Sequence, residues 1–432
     1  MAGDSWTLKS IEELKAPTKG AIAIGPFGSR MKSDCYVLSG VQVIRGTNIS
    51  DTRTLVSEMV CITPKLADQL GNAIVHADDL VFPHRGSIGL VGIVPRNNVE
   101  RYALSSSLMK LTCDRRQVEP LFLFYFFRSA DGQHELLKNA STVGTPGIGQ
   151  PLSSLRSIKV SLPPLAEQKA IASVLGALDD KIELNRRMNA TLESLARALF
   201  QSWFVDFDPV RAKLDGRQPV GMDAETAALF PDSFEDSPFG KIPLGWTVTD
   251  IGSFAINHDA RREPVRENQR KSGPYPYYGA SGIVDHVDGY LFDGEFLLVA
   301  EDGENLRTRK TPVAFRATGQ FWVNNHAHVI TGPTLGGTRY LLLALERADI
   351  GGYLTGSTIP KLSQQRMNRI SFVSPSSELL DVFQEITSPM FERIDQNEHN
   401  STVLATLRDT LLPKLLSGEL SVGGAECAME NA

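Results

Sequence analysis

The sequence predicts an α+β chain that contains itself twice, as two irregular domains joined by two long antiparallel helices about an internal pseudo-two-fold. Three observations lead there: short segments recur at fixed offsets, each recurrence ends in about forty residues of seven-residue apolar periodicity, and the rest alternates short apolar runs with Gly, Pro and Asn turns.

The recurrence starts at Trp6-Thr7-Leu8 with Ile11 and Leu14, which return as Trp246-Thr247-Val248, Ile251 and Phe254, a shift of 240 (246 − 6). Ile158-Lys-Val-Ser-Leu-Pro163 returns as Ile370-Ser-Phe-Val-Ser-Pro375, a shift of 212 (370 − 158). Each half therefore opens on a Trp-containing strand and closes on a short apolar strand ending in Pro. The second shift then persists through Lys181/Arg393, Ile182/Ile394, Asn185/Asn397, Leu192/Leu404, Leu195/Leu407 and Leu199/Leu411.

These stretches read as helices. Ile171, Leu178, Asn185, Leu192 and Leu199 fall on one heptad position, and Leu175, Ile182, Asn189, Ala196 and Trp203 on the other. Phe383, Met390, Asn397, Leu404 and Leu411 repeat the first position. Forty helical residues span ~60 Å, more than one such domain can cover, which favours pairing over each helix lying on its own domain. In an antiparallel pair Asn185 and Asn397 meet near the midpoints and are expected to hydrogen-bond across the seam, with Ile182, Ile394, Leu192, Leu404, Leu199 and Leu411 packing beside them. Pro389 leads us to expect a kinked or separate first turn or two in the second helix.

The organisation read in this way is a first domain over 1–164, a helix over 165–205, an acidic connector over 206–245, a second domain over 246–375, a second helix over 376–420 and a disordered tail over 421–432. Expected strands include Val41–Ile44, Asp79–Phe82 and Leu90–Ile93 in the first domain, and Phe296–Ala300 and Phe321–Val323 in the second. Pro120–Arg128 and Thr338–Ala348 are the best helical segments, so each domain should carry a twisted, partly closed sheet. Phe200, Trp203, Phe204 and Phe207 form either core or a docking patch for a partner.

Net charge is −6, but Lys+Arg minus Asp+Glu gives 18 − 14 = +4 for 1–164 and 14 − 13 = +1 for 246–375, against 4 − 8 = −4 for 206–245 and 3 − 10 = −7 for 376–432. The domains are thus neutral to mildly basic, which permits phosphate contact. Cys35, Cys61, Cys113 and Cys427 have no metal-site or CxxC spacing and read as reduced. No apolar run approaches the ~18–20 residues of a membrane span, and the first residues lack a signal peptide's pattern, so the cytoplasm is expected. There is no GxxxxGK[ST] loop, no GxGxxG opening a helix, and no Asn/Asp-Pro-Pro-aromatic motif. Gly25–Arg30 is Gly-rich without the Lys-Ser/Thr pair, Glu167-Gln168-Lys169 reads as first-turn helix charge, and His326 with His328 makes a weak metal signal.

The alternation of two variable domains with two repeated helices resembles the specificity subunits of type I restriction–modification systems over essentially 1–420. The resemblance is carried by Gly25-Pro-Phe-Gly-Ser-Arg30 with Val41–Ile49, Asp78-Asp-Leu-Val-Phe-Pro-His-Arg-Gly-Ser-Ile-Gly89, Leu162-Pro-Pro-Leu-Ala-Glu-Gln168, Phe230-Pro-Asp-Ser-Phe234, Tyr277–Gly282, Gly289–Gly294 and Ala300-Glu-Asp-Gly303. In the second half Ser376-Ser-Glu-Leu379 departs from the Pro-Leu-x-Glu-Gln pattern. The resemblance implies two target-recognition domains reading the halves of a split double-stranded DNA target, no catalysis in this chain, and two methyltransferase subunits as partners. A restriction subunit with motor and nuclease activity joins where one is present. S-adenosylmethionine, ATP and Mg are then expected on those partners and no cofactor here.

Arg, Asn and Gln are the expected base readers, with Lys, Ser and Thr on phosphates. Candidate DNA contacts are Arg30, Lys32, Arg45, Asn48, Arg85, Ser105–Ser107 and Thr145 in the first domain. Those in the second are Tyr277, Tyr278, Ser281, Arg307, Arg309, Lys310, Asn324, Asn325 and Lys361. Arg262, Arg266, Arg270 and Lys271 alternate with acids and read as a solvated segment. A two-domain protein-binding scaffold and an enzyme with an unfamiliar site are the other function classes open at this level.

Overall fold

The computed structural model describes residues 6–26, 30–141 and 144–425, and the chain divides into two units, Met1–Met188 with Gln396–Ala432, and Asn189–Asp395.

In the first unit Thr7–Ser10 pairs antiparallel with Lys159–Leu162, Thr7 opposite Leu162, closing the domain on itself. Between these ends lie the short antiparallel pair Ala140–Ser141 with Gly147–Ile148 and two larger sheets. One runs Ile22–Ile24, Leu108–Leu111, Leu80–Pro83, Gly92–Ile93, and the other Tyr36–Val37, Val60–Ile62, Val41–Ile44, Tyr102–Leu104, Ile74–Val75. The single partly closed sheet expected from sequence is therefore divided into separate sheets. Pro120–Arg128 begins on a Glu119 cap with Pro at its first position and buries Phe122, Leu123, Phe124, Tyr125 and Phe127. A helix apolar on all sides has to be a core helix.

The second unit repeats the plan. Thr247–Asp250 pairs with Ser371–Ser374. One sheet runs Ile256–Asn257, Ala327–Thr331, Phe296–Ala300, Ala314–Ala317, and the other Gly282–Val287, Tyr275–Gly279, Gln320–Val323, Phe292–Asp293. Helix Leu335–Arg347 starts on the Thr334 hydroxyl, which accepts from the Gly337 amide.

The first long helix is Leu165–Phe200, continued by a π-helical turn over Gln201–Val205. The second is Ser377–Leu416. Pro389 does not break it, contrary to expectation. The residues beside the proline are tied down instead: the Thr387 hydroxyl donates to the Phe383 carbonyl (2.7 Å), and Arg339 donates to the Ser388 hydroxyl (2.8 Å).

Within the first unit the two helices pack antiparallel. Ile171, Leu175 and Leu178 share a core with Leu411, Leu412 and Leu415, and Leu404 packs against it. Asp179 accepts from Arg408 (2.7 Å) and from the Tyr125 hydroxyl (2.7 Å), tying both helices to the core helix. Burial and the Asp179 charge push the Tyr125 phenol well above its usual range. Asn185, buried with Asn397, donates its amide to the Asn397 backbone carbonyl (3.4 Å) and the Ser401 hydroxyl (3.2 Å). The expected meeting of the two asparagines is made through that carbonyl.

Within the second unit Ala196, Phe391 and Ile394 are buried in one core with Leu192 packed against it, and Leu199 borders another. Ile182, in the first unit, is half-buried.

The stretch read as a connector is folded. Helices Asp208–Leu214 and Ala224–Ala228 and the hairpin Phe234–Ser237/Gly240–Pro243 bury Val210, Phe230 and Ile242 with Trp203, Phe204, Trp246, Tyr340 and Phe383. The aromatic run thus serves as core. The tail expectation fails over 421–425, where Val422–Ala425 is helical and Ala425 is fully buried in the first unit's core. Residues 426–432, with Cys427, lie outside the described residues. Among the described residues no helix is long and apolar enough to cross a membrane.

Candidate nucleic-acid interface

Four strand ends meet at one edge of the first domain. The Ser105 amide donates to the Ile44 carbonyl (2.9 Å), and the His84 amide to the Ser107 carbonyl (2.9 Å). The Gly86 amide donates to the Pro146 carbonyl (2.9 Å) and the Ile148 amide to the His84 carbonyl (3.0 Å), with Arg85 bridged to Gly147. Gly25 runs alongside: a Cβ there would lie 1.9 Å from the Ser105 carbonyl oxygen, so only glycine lets its loop pass. The candidates Arg45, Arg85, Ser105, Ser107 and Thr145 therefore come together on one backbone-stitched edge.

The second domain builds the same edge bond for bond. The Asn324 amide donates to the Tyr278 carbonyl (3.0 Å), Glu301 to His326 (2.9 Å), Gly303 to Pro360 (3.1 Å) and Leu362 to Glu301 (2.8 Å), with Asp302 bridged to Lys361. Gly86 and Gly303 both hold a positive φ, 80° and 113°. By these bonds Leu80–Gly86 corresponds to Leu297–Gly303, Ser105–Ser107 to Asn324–His326, and Pro146–Ile148 to Pro360–Leu362. Asn324, Asn325, Tyr278 and Lys361 belong to this edge, and Ser281 sits exposed in the turn after Gly279.

The side chains separate into exposed groups and struts. Arg30, Lys32, Arg85, Thr145, Ser281, Lys310 and Asn325 are exposed. Arg30 borders the undescribed 27–29. Ser105 and Ser107 are half-buried with their hydroxyls 3.2 Å apart.

Several candidates are engaged in contacts within the fold. Asn48 is wholly buried, accepting from the Arg45 amide (2.9 Å) and donating to the Val56 carbonyl (2.9 Å). Tyr277 is buried, its hydroxyl accepting from the Val265 amide (3.0 Å) and its ring lying under the Arg270 guanidinium. Arg309 donates to the Glu346 and Ala348 carbonyls (3.0 and 2.6 Å), capping helix Leu335–Arg347. Asn324 is buried and accepts from the His326 amide (2.8 Å). Tyr278 packs on Phe315 and Phe321.

Others keep an exposed face while holding a partner. Arg45 donates to the Glu58 carbonyl (3.1 Å), Arg307 to the Gly356 carbonyl (2.8 Å), and Lys361 pairs with Glu301 (3.1 Å).

Three further members of the edge were not among the DNA-contact candidates read from the sequence. His84 is buried with Nε2 3.0 Å from the Ser106 carbonyl, and burial pushes its imidazole below the usual range. Asp302 and His326 form a pair with Nδ1 to Oδ2 at 2.7 Å. The signal available was the alignment of Leu80-Val-Phe-Pro-His-Arg-Gly86 with Leu297-Leu-Val-Ala-Glu-Asp-Gly303 at a shift of 217 (297 − 80). The weak metal signal at His326 and His328 dissolves. His328 is buried against Asp259 (2.6 Å) and the Leu362 carbonyl (2.8 Å), and among the described residues no cluster of three or more His, Cys, Asp or Glu could hold a metal.

A doubled loop edge on β-scaffolds, each joined to paired long helices, defines a duplicated recognition protein. The family model described as "Type I restriction modification DNA specificity domain" matches residues 28–194 and again 243–407. The chain belongs to that family. It is 26% identical over 382 residues to the type I restriction enzyme MjaIX specificity subunit of Methanocaldococcus jannaschii, covering 84% of this chain and 82% of that protein. It is 25% identical over 387 residues to the HindI specificity subunit of Haemophilus influenzae, covering 75% and 82%. The crystal structure of a type I restriction–modification S subunit from M. genitalium shares the fold, with a TM-score of 0.53 at 16% identity over 95% of this chain and 96% of that one.

Proposed function

We propose that the chain is the DNA-specificity subunit of a type I restriction–modification complex, each domain reading one half of a split duplex target while the long helices set the unread interval. The observation that carries this reading is the recurrence of one stitched loop edge in both domains of a specificity-family chain. Arg30, Lys32, Arg85, Ser105, Ser107 and Thr145 contact DNA from the first edge, and Ser281, Arg307, Lys310, Asn325 and Lys361 from the second. Donors of these types serve base edges and phosphates alike. The chain has no catalysis of its own. Two methyltransferase subunits dock on it in the cytoplasm and bring S-adenosylmethionine, and a restriction subunit, where present, brings ATP and Mg.

The test is retardation of duplexes selected from a randomised pool. Binding that weakens steeply with salt and prefers two separated blocks supports the proposal. A chain that captures protein but no duplex is a scaffold, and methylation or cleavage by the purified chain alone makes it an enzyme. Either result contradicts the proposal.

A further inference from the structure

We infer that the two domains read with opposite polarity at one equivalent position: Arg85 donates to a guanine in one half-site, and Asp302, oriented by His326, accepts from the amino group of a cytosine in the other. This rests on the DNA-reading proposal above.

The equivalence is geometric. Arg85 and Asp302 each follow the residue whose amide bonds the third residue of a matched loop, Ser107 or His326. Each bridges the middle residue of a Pro-x-apolar segment, Gly147 or Lys361, and precedes a glycine of positive φ. The side chains could hardly differ more. Arg85 is exposed and makes no hydrogen bond or ion pair among the described residues, so its guanidinium fork is available to guanine O6 and N7.

Asp302 presents only acceptors. Its Oδ2 takes the His326 Nδ1 (2.7 Å), its Oδ1 has no partner among the described residues, and its side chain stays 28% exposed. The neighbouring acid is already satisfied, since Glu301 accepts from Arg262 (3.0 Å) and Lys361 (3.1 Å). Asp302 is therefore the acid left to read.

A carboxylate facing a major groove is repelled by the acceptors of guanine and thymine and is matched by the cytosine N4 amino group. The pairing with His326 holds the carboxylate in one orientation. The exposed Lys310 and Arg307 on the following turn supply the positive charge that a polyanion requires.

The experiment uses the tagged full chain assembled with its methyltransferase subunits, with duplex selection from a pool randomised across both half-sites. Binding is then measured on selected duplexes carrying 7-deazaguanine, which lacks N7, or pyrimidin-2-one, which lacks the N4 amino group. The wild type should lose about 10- to 100-fold in affinity on 7-deazaguanine at one pair of one half-site, and similarly on pyrimidin-2-one at one pair of the other. Arg85→Ala should be indifferent to the first analogue alone, and Asp302→Asn to the second alone.

The inference is overturned if either variant weakens all sequences evenly or leaves both analogue effects in place. Asp302→Asn keeps the side chain's shape. If it fails to fold, Asp302 belongs to the scaffold and the inference is also lost. A wild type that selects no split sequence brings down the DNA-reading proposal itself.

Discussion

The two domains share one backbone edge and spend their charges differently on it. The first leaves the Arg85 side chain without a partner among the described residues, while the second locks Glu301, Lys361, Asp302 and His326 into pairs. The same contrast holds where each domain grips its long helix. In the first, Gln168 is buried, accepts from the Glu119 amide (3.0 Å) and donates to the Pro163 carbonyl (2.9 Å). Leu380 takes the equivalent place in the second, at the 212 shift (380 − 168), inside an apolar core. There the polar grip moves further along the helix. Glu295 accepts from Arg339 (2.9 Å) and Arg316 (3.2 Å), both guanidiniums lie against Phe391, and Arg316 also reaches Asp395 (3.0 Å). A duplicated scaffold can thus keep its backbone bonds and exchange nearly every side-chain interaction.

The largest expected effect is at that second grip. Glu295→Ala leaves two largely buried guanidiniums short of a partner and should cost about 3–5 kcal/mol, read as a fall in the urea midpoint. A loss under ~1 kcal/mol would show that the grip is apolar, as at Leu380.

Gln168→Leu imports the second helix's solution into the first domain. It should cost about 1–3 kcal/mol because the Glu119 amide loses its acceptor. Leu380→Gln should cost a similar ~1–3 kcal/mol for an unmatched buried amide. Neutrality of both swaps in chemical denaturation would mean the two grips are interchangeable.

The smallest effect is one of pH. The Arg186 side chain, with Arg187 beside it, holds the Glu183 carboxyl down at about 2. A carboxyl lowered on folding adds stability that is complete above its unfolded value, about 4.3, and is lost as pH falls toward 2. The Glu183→Gln chain should therefore lose less stability than the wild type between pH 5 and pH 2.5, by under ~1 kcal/mol for a surface pair.

Much of this was legible in the sequence, for reasons visible in particular residues. The seam positions Ile171, Leu178, Asn185 and Leu411 recur at one spacing, and their burial follows from that period. Function at the loops was less legible because one residue type serves both purposes. An asparagine that reads a base and one that pins a turn, as Asn48 does, need the same donors and acceptors. Tyr277 and Arg309 likewise use their polar atoms within the fold. The equivalence of Asp302 to Arg85 emerges only from the folded edge, where each bridges the middle residue of a Pro-x-apolar segment. Pro389 was misjudged because helix propensity is local, whereas Arg339 and Ser388 meet only in the folded chain.

The most direct measurement is the base-by-base specificity of the assembled complex before and after residues 6–164 are exchanged for the corresponding domain of another specificity subunit. Two short specified blocks separated by a constant unread interval, with only one block changed by the exchange, is the predicted result. A single continuous recognition sequence, or a change in both blocks, would contradict a chain that reads with two separate edges.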